Sequence, residues 1–166
     1  MRVPIRKPGK YTHSKPDPNI TEEKFKEFKS KLEKLKKFSR PRAAEEVKRL
    51  ALMGDFSENA AYQIAKGKLR GINQRILDIE DHLKRAIIIT PSENKERVRL
   101  GHRATILTAG KEKTYLILGS SETNPAEGII SHNTLIGSAM MGRKAGDKIK
   151  VVLAKKEVEY KIIKIE

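Results

Sequence analysis

The sequence predicts a two-domain α+β protein in which a helical hairpin precedes a small β-sheet module. Two observations support this fold class. In the first half of the chain, apolar residues recur three and four positions apart, which is the spacing of one helix face. From Val98 onward, short runs instead alternate apolar and polar residues, which is typical of strands with one face in water. A turn-rich stretch at 90–95 separates the two patterns.

These patterns divide the chain into four segments. We expect a disordered basic arm, a coiled-coil hairpin, a linker and a sheet module, over residues 1–18, 19–88, 89–97 and 98–166 respectively. The arm is assigned from its several prolines, its scattered Lys and Arg residues and its few apolar residues. Such a composition is typical of disordered segments, because they cannot bury enough apolar surface to fold.

The first helix of the hairpin should begin after Thr21, a residue type that caps helix N-termini and is followed here by two acids. Pro41 should bend or restart this helix, because proline lacks a backbone donor and clashes with the preceding turn. The spacing predicts the apolar face on both sides of that proline: Phe25, Phe28, Leu32 and Leu35 before it, and Ala44, Val47, Leu50 and Ala51 after it.

The second helix has the most regular pattern in the chain. Its apolar residues alternate steps of four and three, which is the heptad spacing of a coiled coil: Ala65, Leu69, Ile72, Ile76, Ile79 and Leu83. Gly54 and Asp55 supply a turn between the helices, so the two helices are expected to pack antiparallel. The sequence therefore predicts a long, thin rod that ends near Asp55.

The second module is predicted to be a mostly antiparallel sheet with one short helix. Alternating runs predict strands at 102–107, 114–118, 128–131, 148–153 and 158–165. The helix is predicted at 135–141 and should end at Gly142, a residue type common just after helix C-termini.

Composition narrows the possible functions. The formal net charge is +15, so the chain is expected to attract polyanions such as nucleic acids. It has no cysteine, which excludes disulfides and thiolate metal sites and favours a reducing cytoplasm. No apolar run is long enough to cross a bilayer, and no signal-peptide pattern follows the basic start. The sequence also lacks a nucleophile elbow, a phosphate-binding glycine loop and a close histidine cluster.

Two carboxylates stand apart from this basic background. Between Arg49 and Lys66 the only charged residues are Asp55 and Glu58. By spacing alone they are more simply explained as a helix cap and its capping-box partner. Capping does not explain why the neighbourhood lacks Lys and Arg, and two such carboxylates can also share one Mg²⁺, which takes one or two carboxylates and completes its shell with water and phosphate oxygens.

The tip string GDFSENAAY at 54–62 gives the chain a family resemblance. Together with Lys66, Leu69, Arg70 and Arg75, it resembles the tip and second helix of the Gre transcript cleavage factors of bacterial RNA polymerase. The second module is similar as well, through Gly128 to Ser131, Gly142 to Lys144 and the closing strand. The resemblance spans roughly residues 20–166.

The resemblance implies a coiled-coil domain followed by an FKBP-like domain, and a function in transcription. In the family, the second domain docks on the rim of the polymerase secondary channel and the coiled coil enters the channel. Its tip acids then help to hold a second Mg²⁺, so that the polymerase cuts the 3′ end of the nascent RNA in a backtracked complex. On this basis the chain is not itself an enzyme, has no cofactor of its own, and acts as a monomer in the cytoplasm.

The family roles transfer to matching positions. Asp55 and Glu58 would be the catalytic acids and shared Mg²⁺ ligands, and the tip would be supported by Ser57, Asn59 and Tyr62. The polymerase-docking loop would comprise Ser131, Asn133, Thr134 and Leu135, and the RNA- or channel-facing cations would be Lys66, Lys68, Arg70 and Arg75. The basic arm at 1–18 lies outside the resemblance and is a candidate contact for DNA.

Several positions depart from the family pattern. Ala61 replaces a common acid, and Thr134 and Leu135 replace a usual Ser-Pro pair in the docking loop. Gly67 and Gly71 lie within the second helix, where each costs about 1 kcal/mol relative to alanine. Three other functions therefore remain open: an RNA- or ribosome-binding hairpin, an inhibitory homologue that binds the channel, and a prolyl isomerase activity of the second module.

Overall fold

The computed structural model describes residues 16–53, 60–153 and 156–166. The N-terminal domain is built from three α-helices: α1 (Glu22–Lys34), α2 (Arg40–Ala51) and α3 (Ala60–Arg85). Helix α3 packs against both α1 and α2, as the predicted hairpin requires. Thr21 caps α1, because its hydroxyl accepts a hydrogen bond from the backbone N–H of Lys24 (3.2 Å).

Pro41 interrupts the first helix in a different way from the predicted bend or restart. A π-helical segment, Leu35–Ser39, connects α1 directly to α2, and the backbone stays right-handed helical at Ser39 (φ −70°, ψ −43°). The wider turn accommodates the missing donor of the proline without a break in the rod.

The π-helical segment also corrects the predicted apolar face of α2. Ala44 is exposed, whereas Ala43 is buried. From Leu35 the inward face advances by four residues to Ser39, Ala43 and Val47. Three steps of four exceed three α-helical turns by about one residue, and the π turn absorbs that extra residue.

The predicted heptad of α3 is confirmed, since all six of its residues are buried or half-buried. A short parallel strand pair, which the sequence did not predict, joins the two ends of the hairpin. Strand β1 (Asn19–Ile20) pairs with β2 (Ile87–Ile88), so the entry to α1 and the exit from α3 are hydrogen-bonded side by side. The Ile20 side chain is fully buried there.

The C-terminal module is a five-stranded sheet with the order β5-β4-β3-β7-β6. Its strands are β3 (Arg103–Thr108), β4 (Lys111–Leu118), β5 (Ile129–Ser131), β6 (Lys148–Leu153) and β7 (Lys156–Ile165). The predicted mostly antiparallel sheet is confirmed, since β3 pairs antiparallel with β4 and β7, and β7 pairs antiparallel with β6; among the described strands of this sheet, β4 and β5 alone run parallel. Two short 3₁₀ turns, Ser120–Glu122 and Pro125–Glu127, form the crossover that makes the parallel pairing possible.

The core of the module lies on one face of this sheet. Its fully buried side chains include Ile106, Ile117, Ile162 and Met140, and Met140 comes from the short helix α4 (Leu135–Met140). Gly142, just after α4, adopts the left-handed conformation predicted for it (φ 76°). Within the described residues, no helix combines the length and the apolar character that a membrane span requires.

Candidate functional site

The residues predicted to form the catalytic tip connect α2 to α3. Asp55, Ser57, Glu58 and Asn59 belong to residues 54–59, which lie outside the described part of the chain. Helix α3, which begins at Ala60, has 26 residues and is therefore about 39 Å long. The tip string thus joins two helices at one end of a rod several nanometres long.

Three large apolar side chains on either side of the tip are exposed to solvent, which the sequence pattern did not indicate. Leu52 is 81% exposed and Met53 is 69% exposed at the end of α2, and Ile64 is 72% exposed in the first turns of α3. Sequence reasoning missed these side chains, because single apolar residues outside a periodic face give no signal. Exposed apolar side chains therefore lie on both sides of residues 54–59 in the sequence.

Tyr62, predicted to support the tip, lies half-buried at the start of α3. The Lys66 ammonium lies 5.9 Å from the centroid of the Tyr62 ring, within the range of a cation–π contact. The two residues are one helical turn apart, so this contact orders one of the predicted basic side chains along the helix.

The four predicted basic residues of α3 do not form a single surface. At about 100° per residue, Lys66 and Arg70 lie on one side of the helix, and Lys68 and Arg75 lie on the other side. All four side chains are exposed. The structure therefore separates the predicted RNA- or channel-facing set into two pairs.

Lys68 and Arg75 border a groove that lies between α3 on one side and the π-helical segment and α2 on the other. The groove has a volume of about 880 Å³ and is also lined by Arg42, a basic residue that the sequence reasoning did not single out. Small residues, including Ala43 and Gly71, form part of its lining. A Cβ atom on Gly71 would meet nothing within 4 Å, so no described neighbour fills the space that this glycine leaves open.

The groove is electropositive in spite of one acid in its lining. Arg49 donates hydrogen bonds to Glu46 and holds the pKa of that carboxyl below its ordinary value, and the nearby charges of Lys68 and Arg42 lower it further. Glu46 is therefore a carboxylate at neutral pH, and three cations surround it.

The predicted docking residues are brought together at the start of α4. Thr134 caps the helix, because its hydroxyl accepts a hydrogen bond from Gly137 N–H (3.1 Å), and the same hydroxyl donates to Ser131 O (2.7 Å). Ser131 is 4% exposed, whereas Leu135 is 62% exposed. The loop therefore presents a large apolar side chain on a rigid, hydrogen-bonded base.

Gly137 is required by this close packing. A Cβ atom at this position would lie 2.2 Å from Ser131 O and 2.9 Å from Thr134 Oγ1. The first turn of α4 thus packs directly against the backbone of the docking loop, and a side chain at Gly137 would displace it.

Metal ligands do not converge in the described parts of the chain. Across residues 16–53, 60–153 and 156–166, no three His, Asp or Glu side chains lie together in an arrangement that could hold a metal ion. Asp55 and Glu58 lie outside those ranges.

Comparisons with known proteins agree with the two-domain division. Residues 19–88 match the family model described as transcription elongation factor, N-terminal, and residues 93–166 match the model described as transcription elongation factor, GreA/GreB, C-term. A Macrococcus caseolyticus protein named transcription elongation factor GreA is 36% identical over 149 residues, which cover 88% of this chain and 94% of that protein. The protein of the same name from Nitratiruptor sp. is 34% identical, with 88% of this chain and 91% of that protein covered.

A solved structure of GreA factor homolog 1 from Thermus thermophilus is 22% identical and covers 86% of this chain and 94% of its own. The TM-score of this superposition is 0.39. The chain belongs to the GreA/GreB family of transcription elongation factors.

Proposed function

We propose that this elongation factor enters the secondary channel of bacterial RNA polymerase and stimulates cleavage of the nascent RNA 3′ end in backtracked complexes. The observation that carries the proposal is the acidic string at 54–62, which joins the ends of α2 and α3. A rod about 39 Å long can reach a recessed active site while its other end stays attached to the C-terminal module. The factor thereby lets arrested polymerase resume elongation.

The chemistry of the tip suits a shared metal ion. Asp55 and Glu58 would hold Mg²⁺ together with ligands from the polymerase, because Mg²⁺ accepts one or two carboxylates and leaves positions for water and phosphate oxygens. When bound, a second metal ion helps to activate the attacking water and to stabilise the charge of the leaving oxygen. Ser57, Asn59 and Tyr62 would keep the two carboxylates in place.

The two basic faces of α3 suit different surroundings within a channel. Lys68 and Arg75, with Arg42, border the groove and would face the extruded RNA, while Lys66 and Arg70 would face the channel wall. Phosphate contacts of this kind position a nucleic acid without reading its sequence. They would also make binding weaker as salt increases.

The C-terminal module would hold the factor on the rim of the channel. The exposed Leu135 side chain offers an apolar anchor, and the hydrogen-bonded loop beneath it is already ordered, so little conformational entropy is lost on binding. In this scheme the factor acts as a monomer in the cytoplasm and activates the nuclease activity of the polymerase. The basic residues of the arm would add a contact with DNA.

A cleavage assay tests the proposal. Backtracked complexes of a matched bacterial polymerase should release short 3′ RNA fragments faster when the factor is added. Asp55→Asn combined with Glu58→Gln should reduce cleavage to the rate of polymerase alone, while binding to the polymerase is retained.

The matched control is Glu45→Gln combined with Asp78→Asn, which makes the same change of charge on exposed positions of the hairpin. This control should cleave like the unmodified chain. The assigned roles are wrong if the tip variant stimulates cleavage as well as the control does.

The alternatives are not favoured. An inhibitory homologue would slow elongation and give no cleavage in the same assay. An RNA- or ribosome-binding hairpin would bind naked RNA with no preference for polymerase. For prolyl isomerase activity the module lacks an aromatic pocket: its only aromatic residues are Tyr115 and Tyr160, and Tyr160 is buried in the core.

A further inference from the structure

A buried carboxylate lies at the junction between the hairpin and the C-terminal module. The side chain of Asp17 is only 4% exposed. A buried charge is costly unless it is paired and hydrogen-bonded. Each carboxylate oxygen of Asp17 accepts two hydrogen bonds. Oδ1 accepts from the backbone and side-chain nitrogens of Asn19 (3.1 and 2.8 Å), and Oδ2 accepts from the backbone N–H of Ser120 (2.8 Å) and from its hydroxyl (3.2 Å).

The titration behaviour of Asp17 agrees with this geometry. Burial alone would raise the pKa of the Asp17 carboxyl, but the hydrogen bonds from the backbone N–H groups of Ser120 and Asn19 outweigh it and hold the pKa below its ordinary value. The His132 ring, with Nδ1 3.4 Å from Oδ2, acts in the same direction. Asp17 is thus an anion at neutral pH.

The hydrogen bonds of Asp17 continue into the docking loop. The hydroxyl of Ser120 lies 2.9 Å from the hydroxyl of Ser131, and it accepts a further hydrogen bond from Asn133 Nδ2 (3.3 Å). The backbone N–H of Asn133 donates to Ser131 Oγ (3.1 Å). We call the group formed by Asp17, Ser120, Ser131 and Asn133 the Asp17 clasp.

The same segment is tied to the base of the hairpin. The carbonyl of Pro18 accepts a hydrogen bond from Ile87 N–H (2.8 Å), just beyond α3, and Glu122 accepts one from Thr21 N–H (2.8 Å). Packing is so close that a Cβ atom on Gly119 would lie 1.7 Å from Asn19 O. The Asp17 clasp therefore links the docking loop to the segment from which the hairpin begins.

Asp17 lies outside both ranges that match the family models, 19–88 and 93–166. The sequence pattern assigned it to the basic arm. Residues 1–15 of that arm are outside the described part of the chain, whereas Pro16, Asp17 and Pro18 are hydrogen-bonded to the rest of the molecule; Pro16 O accepts from Arg85 (3.3 Å). Asp17 therefore joins the clasp from outside the family-matched ranges, whereas Ser120, Ser131 and Asn133 lie within the C-terminal match.

We infer that Asp17 is a positioning residue that holds the loop from Ser131 to Leu135 in the conformation that binds RNA polymerase. The inference rests on the proposed function only in taking that loop as the docking site. The carboxylate does not itself contact the polymerase. It keeps Ser120 in place, and Ser120 keeps Ser131 and Asn133 in place beneath the exposed Leu135.

The test separates binding to polymerase from maximal cleavage. Asp17→Asn keeps the shape of the side chain but removes its charge and part of its accepting capacity. We expect the dissociation constant for polymerase, measured with fluorescently labelled factor, to rise about tenfold. The concentration for half-maximal cleavage should rise equally, and the maximal rate at saturating factor should stay within about twofold, because the tip is unchanged.

Asp147→Asn is the matched control. Asp147 also accepts a hydrogen bond from a backbone N–H, that of Lys144 (2.8 Å), but it does so beyond the opposite end of α4. The control should leave the dissociation constant within about twofold. Equal effects of the two variants, or a loss of maximal rate in proportion to the loss of affinity, would show that Asp17 is merely structural and would overturn the inference.

A second variant keeps the inference testable if Asp17→Asn folds poorly. Ser120→Ala removes the shared hydroxyl but leaves the backbone N–H bond to Asp17, and it should weaken binding in the same direction. The double variant should bind no more weakly than Asp17→Asn alone, because both changes break one linkage. Fully additive effects would refute the clasp.

Removing residues 1–15 distinguishes the clasp from the charge of the arm. The ratio of dissociation constants between Asp17→Asn and the unmodified residue should be the same with and without the arm. If the effect disappears in the shortened chain, Asp17 acts through the arm and the inference is wrong. If the unmodified factor binds polymerase but does not stimulate cleavage, the proposed role of the tip fails while the clasp is still tested by binding.

Discussion

Replacing Thr21 with valine should destabilise the hairpin by about 2 to 3 kcal/mol. The Thr21 hydroxyl makes two contacts that valine cannot make: it caps α1 at Lys24 N–H, and it donates a hydrogen bond to the carboxylate of Glu122. Loss of an N-cap costs about 1 kcal/mol. Loss of a hydrogen bond to a charged group costs about 1.5 kcal/mol at the lower end of its range, which is appropriate here because Glu122 is half-buried and keeps its bond to Thr21 N–H.

The assay is urea denaturation followed by circular dichroism at 222 nm, which reports mainly on the hairpin helices. Thr123→Val is the control, since the exposed Thr123 hydroxyl makes a single 3.3 Å bond to a neighbouring carbonyl. In a Glu122→Ala background, which has no side-chain acceptor for the Thr21 hydroxyl, Thr21→Val should cost only about 1 kcal/mol, the value of the cap alone. A loss below about 0.5 kcal/mol for Thr21→Val, or one equal to that of the control, would refute the reasoning.

Three further predictions concern stability. Burial lowers the pKa of His82 from its ordinary value of 6.5, so the unfolded chain binds the proton more readily and stability should fall as the pH drops below that value. When the free energy of unfolding from urea titrations is plotted against pH from 7.5 to 5, His82→Gln should show a smaller slope than the unmodified chain. Gly137→Ala should cost about 2 to 3 kcal/mol, because its Cβ would overlap the docking loop. Gly71→Ala should raise stability by about 0.5 to 1 kcal/mol, because its Cβ meets no neighbouring atom within 4 Å. Thermal melts that find Gly137→Ala more stable than Gly71→Ala would contradict the close packing described at Gly137. Ile162→Ala, at a fully buried position, should cost about 2 to 5 kcal/mol, and its half-exposed neighbour Ile163→Ala should cost much less by the same measurement.

The main elements of the fold could be predicted from periodicity, and the exceptions have local causes. Alternation predicts β4 only over 114–118, because the Lys and Glu residues before it do not alternate with apolar residues. The strand in fact begins at Lys111. The first residues of β4 are extended because they pair with β3. Ala109 and Gly110 both have positive φ (47° and 75°) and form a tight turn that pairs Lys111 with Thr108. Pairing across a turn is not visible in a one-strand pattern.

The structure shows how the described residues of the candidate site are arranged, and the sequence pattern indicated little of that arrangement. The predicted docking residues, Ser131, Asn133, Thr134 and Leu135, were grouped through the family resemblance, and the structure brings them together at the start of α4. The basic residues of α3 were likewise grouped through the resemblance, and the helix geometry separates Lys68 and Arg75 from Lys66 and Arg70. Asp17 could not have been found, since its partner Ser120 is 103 positions away and its own neighbourhood has the composition of a disordered arm.

The central claim is that the tip string delivers Asp55 and Glu58 to the metal site of RNA polymerase. The most direct measurement replaces Mg²⁺ in the polymerase with Fe²⁺, bound to a backtracked complex with the factor, and maps where hydroxyl radicals cut the factor chain. The proposal predicts cuts within residues 54–59 and few elsewhere. Cuts that are absent from that segment, or that fall mainly in the C-terminal module, would contradict it.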